Sequence, residues 1–293
     1  MSRMTRSWQW LLVIVAALAV SPGCKAEPRD PSRDSPDKNK PAADGKKPSP
    51  NGKQEKSSPV TRVLFVGNSH VFTLNMPKIV EAMAAAHPEQ PPLSCRMNAP
   101  GGWTLSQHAA AGPTLKELHA GQYDWVVLQE ASGLAVGQPS RQEFLQAVQT
   151  LHAEIVKANP KAKTALYMVH ARKMESGRFP AIREINEEAG KKIEATVIPV
   201  AAAWDKVRRE HPGIELTMPD GNHFNDKGCY LTSCTIFSAL TGQSCVGLPA
   251  KIGRLSIPDA EAASLQQAAW DAVVESKKTS DKKSNPVERS VGY

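Results

Sequence analysis

The sequence predicts an α/β protein: a three-layer α/β/α sandwich on a five-stranded parallel sheet, of flavodoxin-like kind. Three observations lead there. Five short runs at 62–66, 93–98, 124–128, 164–169 and 195–199 read as strands. Segments with helical spacing separate them, at about 76–86, 104–119, 140–158 and 181–192, and a further helix at 201–210 follows the last strand. Runs such as Val63-Leu64-Phe65-Val66 are apolar at both parities, the pattern of strands covered on two faces. Alternating strand and helix with right-handed crossovers then gives a parallel sheet between two helical layers.

Taken in order, Arg62–Val66 is stopped by Gly67-Asn68, so Ser69 falls at the carboxyl end of the first strand. Open α/β sheets place their ligands at that end. After 93–98, Gly101-Gly102 lets the backbone approach a ligand closely, and Thr104 is suited to cap the helix that follows. The third strand, Trp125-Val126-Val127-Leu128, ends at Gln129-Glu130, again at the carboxyl edge, and the fourth strand is followed by Arg172. Pro219-Asp220-Gly221-Asn222-His223 is a turn-prone segment, and a helix at 226–241 closes the fold. No internal repeat is present.

Flanking segments differ in composition. Arg3 and Arg6 precede an apolar stretch from Trp10 to Val20, too short to span a bilayer of ~30 Å. With Ser21-Pro22-Gly23-Cys24 behind it, residues 1–24 read as a signal peptide with a lipobox-like end, which marks Cys24 for lipidation. Simple secretion and an uncleaved anchor are the alternatives, and all three export the rest of the chain. Localisation is thus expected in a bacterial cell envelope, on the membrane through Cys24 or otherwise periplasmic or secreted. Residues 25–60 are Lys, Asp, Pro, Ser, Gly and Asn with almost nothing apolar, as expected of a disordered tether, and 271–293 is read as a disordered tail. Residues 61–270 form the expected single domain.

The formal charge of +7 belongs mainly to the flanks, leaving +1 for residues 61–270. The basic character therefore gives no case for nucleic-acid binding. Cys95, Cys229, Cys234 and Cys245 allow three pairing schemes in an exported chain, with Cys234–Cys245 the first to test and buried free thiols the alternative. Their spacing does not suit zinc, and His70, His108 and His223 lack paired-ligand spacing, so no metal is expected.

Ser69, His223 and Asp220 supply a hydroxyl, an imidazole and a carboxylate, the groups of nucleophilic hydrolysis. Asp220 and His223 are three residues apart, so the carboxylate can orient the imidazole without help from another element. The blocks that carry these groups are Val63-Leu64-Phe65-Val66-Gly67-Asn68-Ser69, Gly101-Gly102-Trp103-Thr104-Leu105, Trp125-Val126-Val127-Leu128-Gln129-Glu130, and Asp220-Gly221-Asn222-His223 with Gly228-Cys229-Tyr230-Leu231. In that order they resemble the SGNH (GDSL-like) hydrolases, in a bacterial branch whose first block reads Gly-Asn-Ser.

The resemblance covers roughly Val60 to Leu248. It implies a nucleophile at Ser69, a base at His223 oriented by Asp220, and an oxyanion hole from the N–H groups of Ser69 and Gly102. The family's third donor is an Asn in Gly-x-Asn-Asp, which this chain lacks. Gln129 is the expected stand-in, Ser132 a weaker one, and Glu130 is expected to hold a loop or a neighbouring side chain. The implied activity is that of an exported serine esterase, without cofactor, removing acetyl or other short acyl groups from extracellular carbohydrate. The alternative is a catalytically weak carbohydrate-binding surface lipoprotein on the same scaffold. His70, Trp103 and Arg172 are the candidate substrate contacts, with His108 structural or at the cleft rim.

Overall fold

The computed structural model describes residues 59–120 and 122–284. The expected signal peptide with Cys24, most of the tether, and the chain from 285 lie outside the described residues.

Five parallel strands, β1 (Thr61–Val66), β2 (Leu93–Asn98), β3 (Trp125–Gln129), β4 (Lys163–Tyr167) and β5 (Thr196–Ile198), stand in the order β2-β1-β3-β4-β5. β1 lies between β2 and β3, so successive connections leave β1 in opposite directions. The crevice at its carboxyl end is where such sheets bind ligands.

Side-chain parity assigns the layers. Val63 and Phe65 of β1, Val127 of β3 and Tyr167 of β4 pack on one face with α2 (Met76–Ala86), α7 (Val200–Glu210), α8 (Asp226–Thr241) and α9 (Asp259–Ser284). Leu64, Val66, Val126, Leu128 and Leu166 pack on the other with α3 (Leu105–Ala110), α4 (Gly112–Ala120), α5 (Arg141–Ala158) and α6 (Phe179–Lys192). Each inner strand thus buries both parities, as its uninterrupted apolar composition requires.

Two expectations need correction. The single helix expected at 104–119 is two, because Ala111 adopts φ −94°, ψ 117° ahead of Gly112-Pro113. Proline has no N–H to continue the first helix, yet it suits the first turn of a second. The disordered tail expected from 271 begins too early: α9 runs to Ser284 and buries Ala262, Leu265, Ala268, Ala269, Ala272 and Val273 along one stripe. α8 and α7 receive that stripe, which is why nearly every residue of α8 is buried. The weakly apolar alanines hid the pattern. A two-stranded antiparallel hairpin, β6 (Lys251–Ile252) with β7 (Leu255–Ser256), precedes α9. All four described cysteines are buried free thiols, and Cys245 donates to the Gln266 carbonyl at 3.4 Å.

Candidate active site

Gly67 makes the turn after β1 possible. A Cβ there would stand 2.4 Å from Gln129 Oε1 and 2.9 Å from Val71 Cγ2. Asn68 follows as the cap of α1 (Ser69–Phe72): its Oδ1 accepts the His70 N–H at 3.2 Å. Its Nδ2 donates to the Trp103 carbonyl at 2.8 Å, which ties the nucleophile turn to the glycine pair. Asn68 was legible as a capping residue type; its second bond was not.

Ser69 is the first residue of α1, and its Oγ lies 2.9 Å from His223 Nε2. His223 Nδ1 lies 2.6 Å from Asp220 Oδ2. Asp220 Oδ1 also accepts the N–H groups of Asn222 at 2.9 Å and of His223 at 3.0 Å. The turn is closed by Gly221 at φ 66° and by the Met218 N–H donating to the His223 carbonyl at 2.8 Å. The His223 hydrogen bond, then those N–H groups, hold the Asp220 carboxyl down at about 2, so it is an acceptor at neutral pH. Asp220 therefore accepts the Nδ1–H hydrogen bond, which fixes the tautomer and leaves Nε2 free to accept from Ser69. The three groups form one continuous chain, as the motif spacing predicts.

Behind this chain lies a column of rings that the sequence did not reveal. His70 is 1 % exposed and stacks on His223 with centroids 5.4 Å apart, while His170 meets His70 edge-on at 5.1 Å. His170 in turn stacks on Trp204 at 3.6 Å, and its Nε2 donates to the Asn222 carbonyl at 2.9 Å. His70 thus backs the imidazole at the floor of the cleft, and Trp204 is core. Burial first, then its electrostatic coupling to His223 and the Arg172 cation, pushes the His70 imidazole down to about 3. A base depressed in the folded state stabilises the fold above its unfolded value of 6.5, and that stability is lost as pH falls from 6.5 towards 3. His70→Phe is accordingly expected to lose less of its melting temperature between pH 7 and 4.5 than the parent. Equal losses in the two proteins would show that His70 does not titrate in that window.

The third block corrects the expected oxyanion donor. Gln129 is fully buried; its Oε1 accepts the Asn68 N–H at 2.8 Å, and its Nε2 donates to the Glu130 carbonyl. Its amide is spent holding the nucleophile turn, and it does not line the cleft. Gln129 is a positioning residue. Gln129→Ala leaves a buried N–H unpaired, so we expect about 1–3 kcal/mol of lost stability together with lower turnover. Turnover falling a hundredfold at an unchanged melting temperature would restore the oxyanion role.

Glu130 holds a loop, as expected: its carboxylate accepts the N–H groups of Leu105 at 3.2 Å and Ala131 at 2.6 Å. Burial raises its carboxyl to about 7. His108 is structural, with Nε2 donating to the Gly67 carbonyl at 2.8 Å and Nδ1 accepting from Thr114 Oγ1 at 2.9 Å. The half-buried Trp103 ring packs edge-on against His108, and its neighbours Gly102 and Thr104 line the cleft.

A cleft of about 790 Å³ opens over Ser69 and His223. Gly102, at φ 73°, lines it, as do Thr104, Gln107, Ser132, Gln138 and Arg172. Among the described residues, the N–H groups of Ser69 and Gly102 have no acceptor, and both residues line this space. The segment after β3 brings Ser132, the weaker candidate by sequence, to the cleft together with Gly133, Gly137 and Gln138. Among the described residues, no group of three or more His, Cys, Asp or Glu is arranged to hold a metal.

This is the fold of the SGNH (GDSL-like) hydrolases. A DUF4886 family protein from Bacteroides uniformis superposes with a TM-score of 0.63 at 17 % identity, covering 74 % of this chain and 95 % of that one. An acetyl xylan esterase superposes with a TM-score of 0.50 at 16 % identity, covering 61 % of this chain and 99 % of that one. No protein-family profile matches the chain, and no curated protein matches it by sequence.

Proposed function

We propose that the protein is a serine ester hydrolase that removes acetyl or other short acyl groups from carbohydrate outside the cytoplasm. The observation that carries this reading is the hydrogen-bonded chain Ser69–His223–Asp220 at the mouth of the cleft. Ser69 Oγ attacks the ester carbonyl as its proton passes to His223 Nε2, and Asp220 stabilises the imidazolium. The N–H groups of Ser69 and Gly102 receive the oxyanion, with the Ser132 hydroxyl as side-chain donor. His223 returns the proton to the leaving alcohol. Water then attacks the acyl-enzyme by the same route, releasing the acid and restoring Ser69.

The cleft supports a short acyl group and a hydroxyl-rich alcohol. Its described lining is mainly hydroxyl, amide and glycine, with Ala131 and Pro139, and among the described residues no Leu, Ile, Val, Met or Phe lines it to seat a long chain. The fold shared with an acetyl xylan esterase is consistent with that substrate class. An intact triad favours catalysis over the reading as a binding protein. The test is acetate release from 4-nitrophenyl acetate and from acetylated polysaccharide, with a fluorophosphonate probe to mark the nucleophile. A probe adduct on a residue other than Ser69, or no acetate release, would overturn the reading. Export and membrane attachment through Cys24 rest on the sequence pattern. They predict that Cys24→Ser shifts the protein out of the membrane fraction, and a variant that fractionates like the parent would refute the anchor.

A further inference from the structure

Arg172 lies in the loop after β4, at the carboxyl edge of the sheet, and its side chain lines the cleft with Ser69 and His223. Among the described residues it is the only Lys or Arg there. The side chain is half-buried, and its Nε is sealed from solvent with no hydrogen-bond partner among the described residues. No ion pair reaches it. Glu175, three residues on, forms none with it, and Lys173 is paired with Glu215 instead. The other carboxylates nearby are engaged: Glu143 Oε2 accepts from the Ser140 N–H at 2.8 Å and Oγ at 2.7 Å, and Asp220 is held by His223 and two backbone N–H groups. His70, the imidazole that feels the Arg172 charge, is neutral and offers no counter-charge.

A half-buried guanidinium with no counter-charge is costly, and its planar fork matches a carboxylate. Among the described residues no such partner is present, and Arg172 lines the cleft over Ser69 that the ester must occupy. We infer that the alcohol half of that ester carries a carboxylate, bound by Arg172, so that the preferred substrate is an acylated acidic sugar of the uronic acid class. The inference rests on the hydrolase reading for turnover, but the carboxylate site itself does not.

Two measurements test the two separately. The first compares kcat/KM for methyl O-acetyl-glucopyranoside and the matching O-acetyl-glucuronide, with 4-nitrophenyl acetate as an uncharged reference. A preference of about tenfold or more for the glucuronide is expected, the size of one charge-assisted contact, and it should shrink with added salt. In Arg172→Gln the ratio of the two values should fall to near one, and Arg172→Lys should recover only part of it because the fork is lost. A thermal melt of each variant reports that it is folded. The second measurement is calorimetric titration of the parent with glucuronate and with glucose, which needs no turnover. Equal rates and equal binding for the charged and neutral compounds would overturn the inference, as would a preference that survives Arg172→Gln. Should 4-nitrophenyl acetate be cleaved with no preference for the glucuronide, the hydrolase stands and the carboxylate site falls. Should glucuronate bind through Arg172 with no ester cleaved, the reverse holds.

Discussion

Ser69→Ala is expected to lower kcat on an aryl acetate by roughly 10⁴-fold or more while the fold stays intact. The reason is structural as well as chemical. Ser69 Oγ is the one hydroxyl bonded to His223 Nε2, at 2.9 Å, and the imidazole has no second nucleophile in line. Ser69 is only half-buried, so removing one oxygen loses a single hydrogen bond and about 1 kcal/mol of stability at most. His223→Ala should be comparably damaging, because nothing else can take the proton. Asp220→Asn should retain more activity, since it disturbs tautomer and orientation and leaves both reacting groups in place. Stopped assays with melting curves for each variant decide the matter. An Ser69→Ala protein keeping a tenth of parental turnover would remove Ser69 from the mechanism.

Gly228→Ala is expected to have the largest effect on stability. Gly228 sits in the first turn of α8, directly beneath the loop that presents Asp220 and His223. A Cβ there would lie 2.2 Å from the Leu216 carbonyl oxygen and 2.8 Å from both Phe224 Cβ and Trp204 Cη2. Leu216 O already accepts the Asn225 N–H at 3.0 Å, and the Gly228 N–H is capped by Asn225 Oδ1 at 3.1 Å. Neither backbone nor indole can yield cheaply, so the helix must move off the loop. Overpacking of this kind costs about 3 kcal/mol, or roughly 6–12 °C in melting temperature for a domain of this size. Turnover should fall in parallel, because the displaced segment carries two of the three reacting residues. A variant melting within about 2 °C of the parent would show that α8 accommodates the methyl.

The same loop shows how unevenly the sequence reports on structure. The strands and helices from 61 to 241 were legible nearly residue by residue, because buried strands need apolar runs and amphipathic helices need their stripe. α9 was missed beyond 270 because its stripe is built of alanines, which bury well against α8 yet barely register as hydrophobic. The hairpin at 251–256 is too short to announce itself.

The candidate site divides in the same manner. Ser69, Asp220 and His223 were readable because their placement depends on local features: a glycine turn after a strand, and two residues three apart in one tight loop. Gln129 was misassigned because a residue at a strand end can turn either way. Its direction was decided by parity with Val127 and by the unpaired Asn68 N–H across the sheet, at 2.8 Å. His170 is 100 residues from His70 in the chain, and only the closing of β4 and α7 onto β1 stacks the two behind His223. Arg172 could be placed at the active edge from sequence, but whether it had a counter-ion could not. By itself, then, the sequence determined the sandwich and the reacting triad, since local patterning and short-range spacing set both. Tertiary structure alone decided which amide is spent in the interior, which rings support the imidazole and which cation is left unpaired, because those depend on the pairing of groups far apart in the chain.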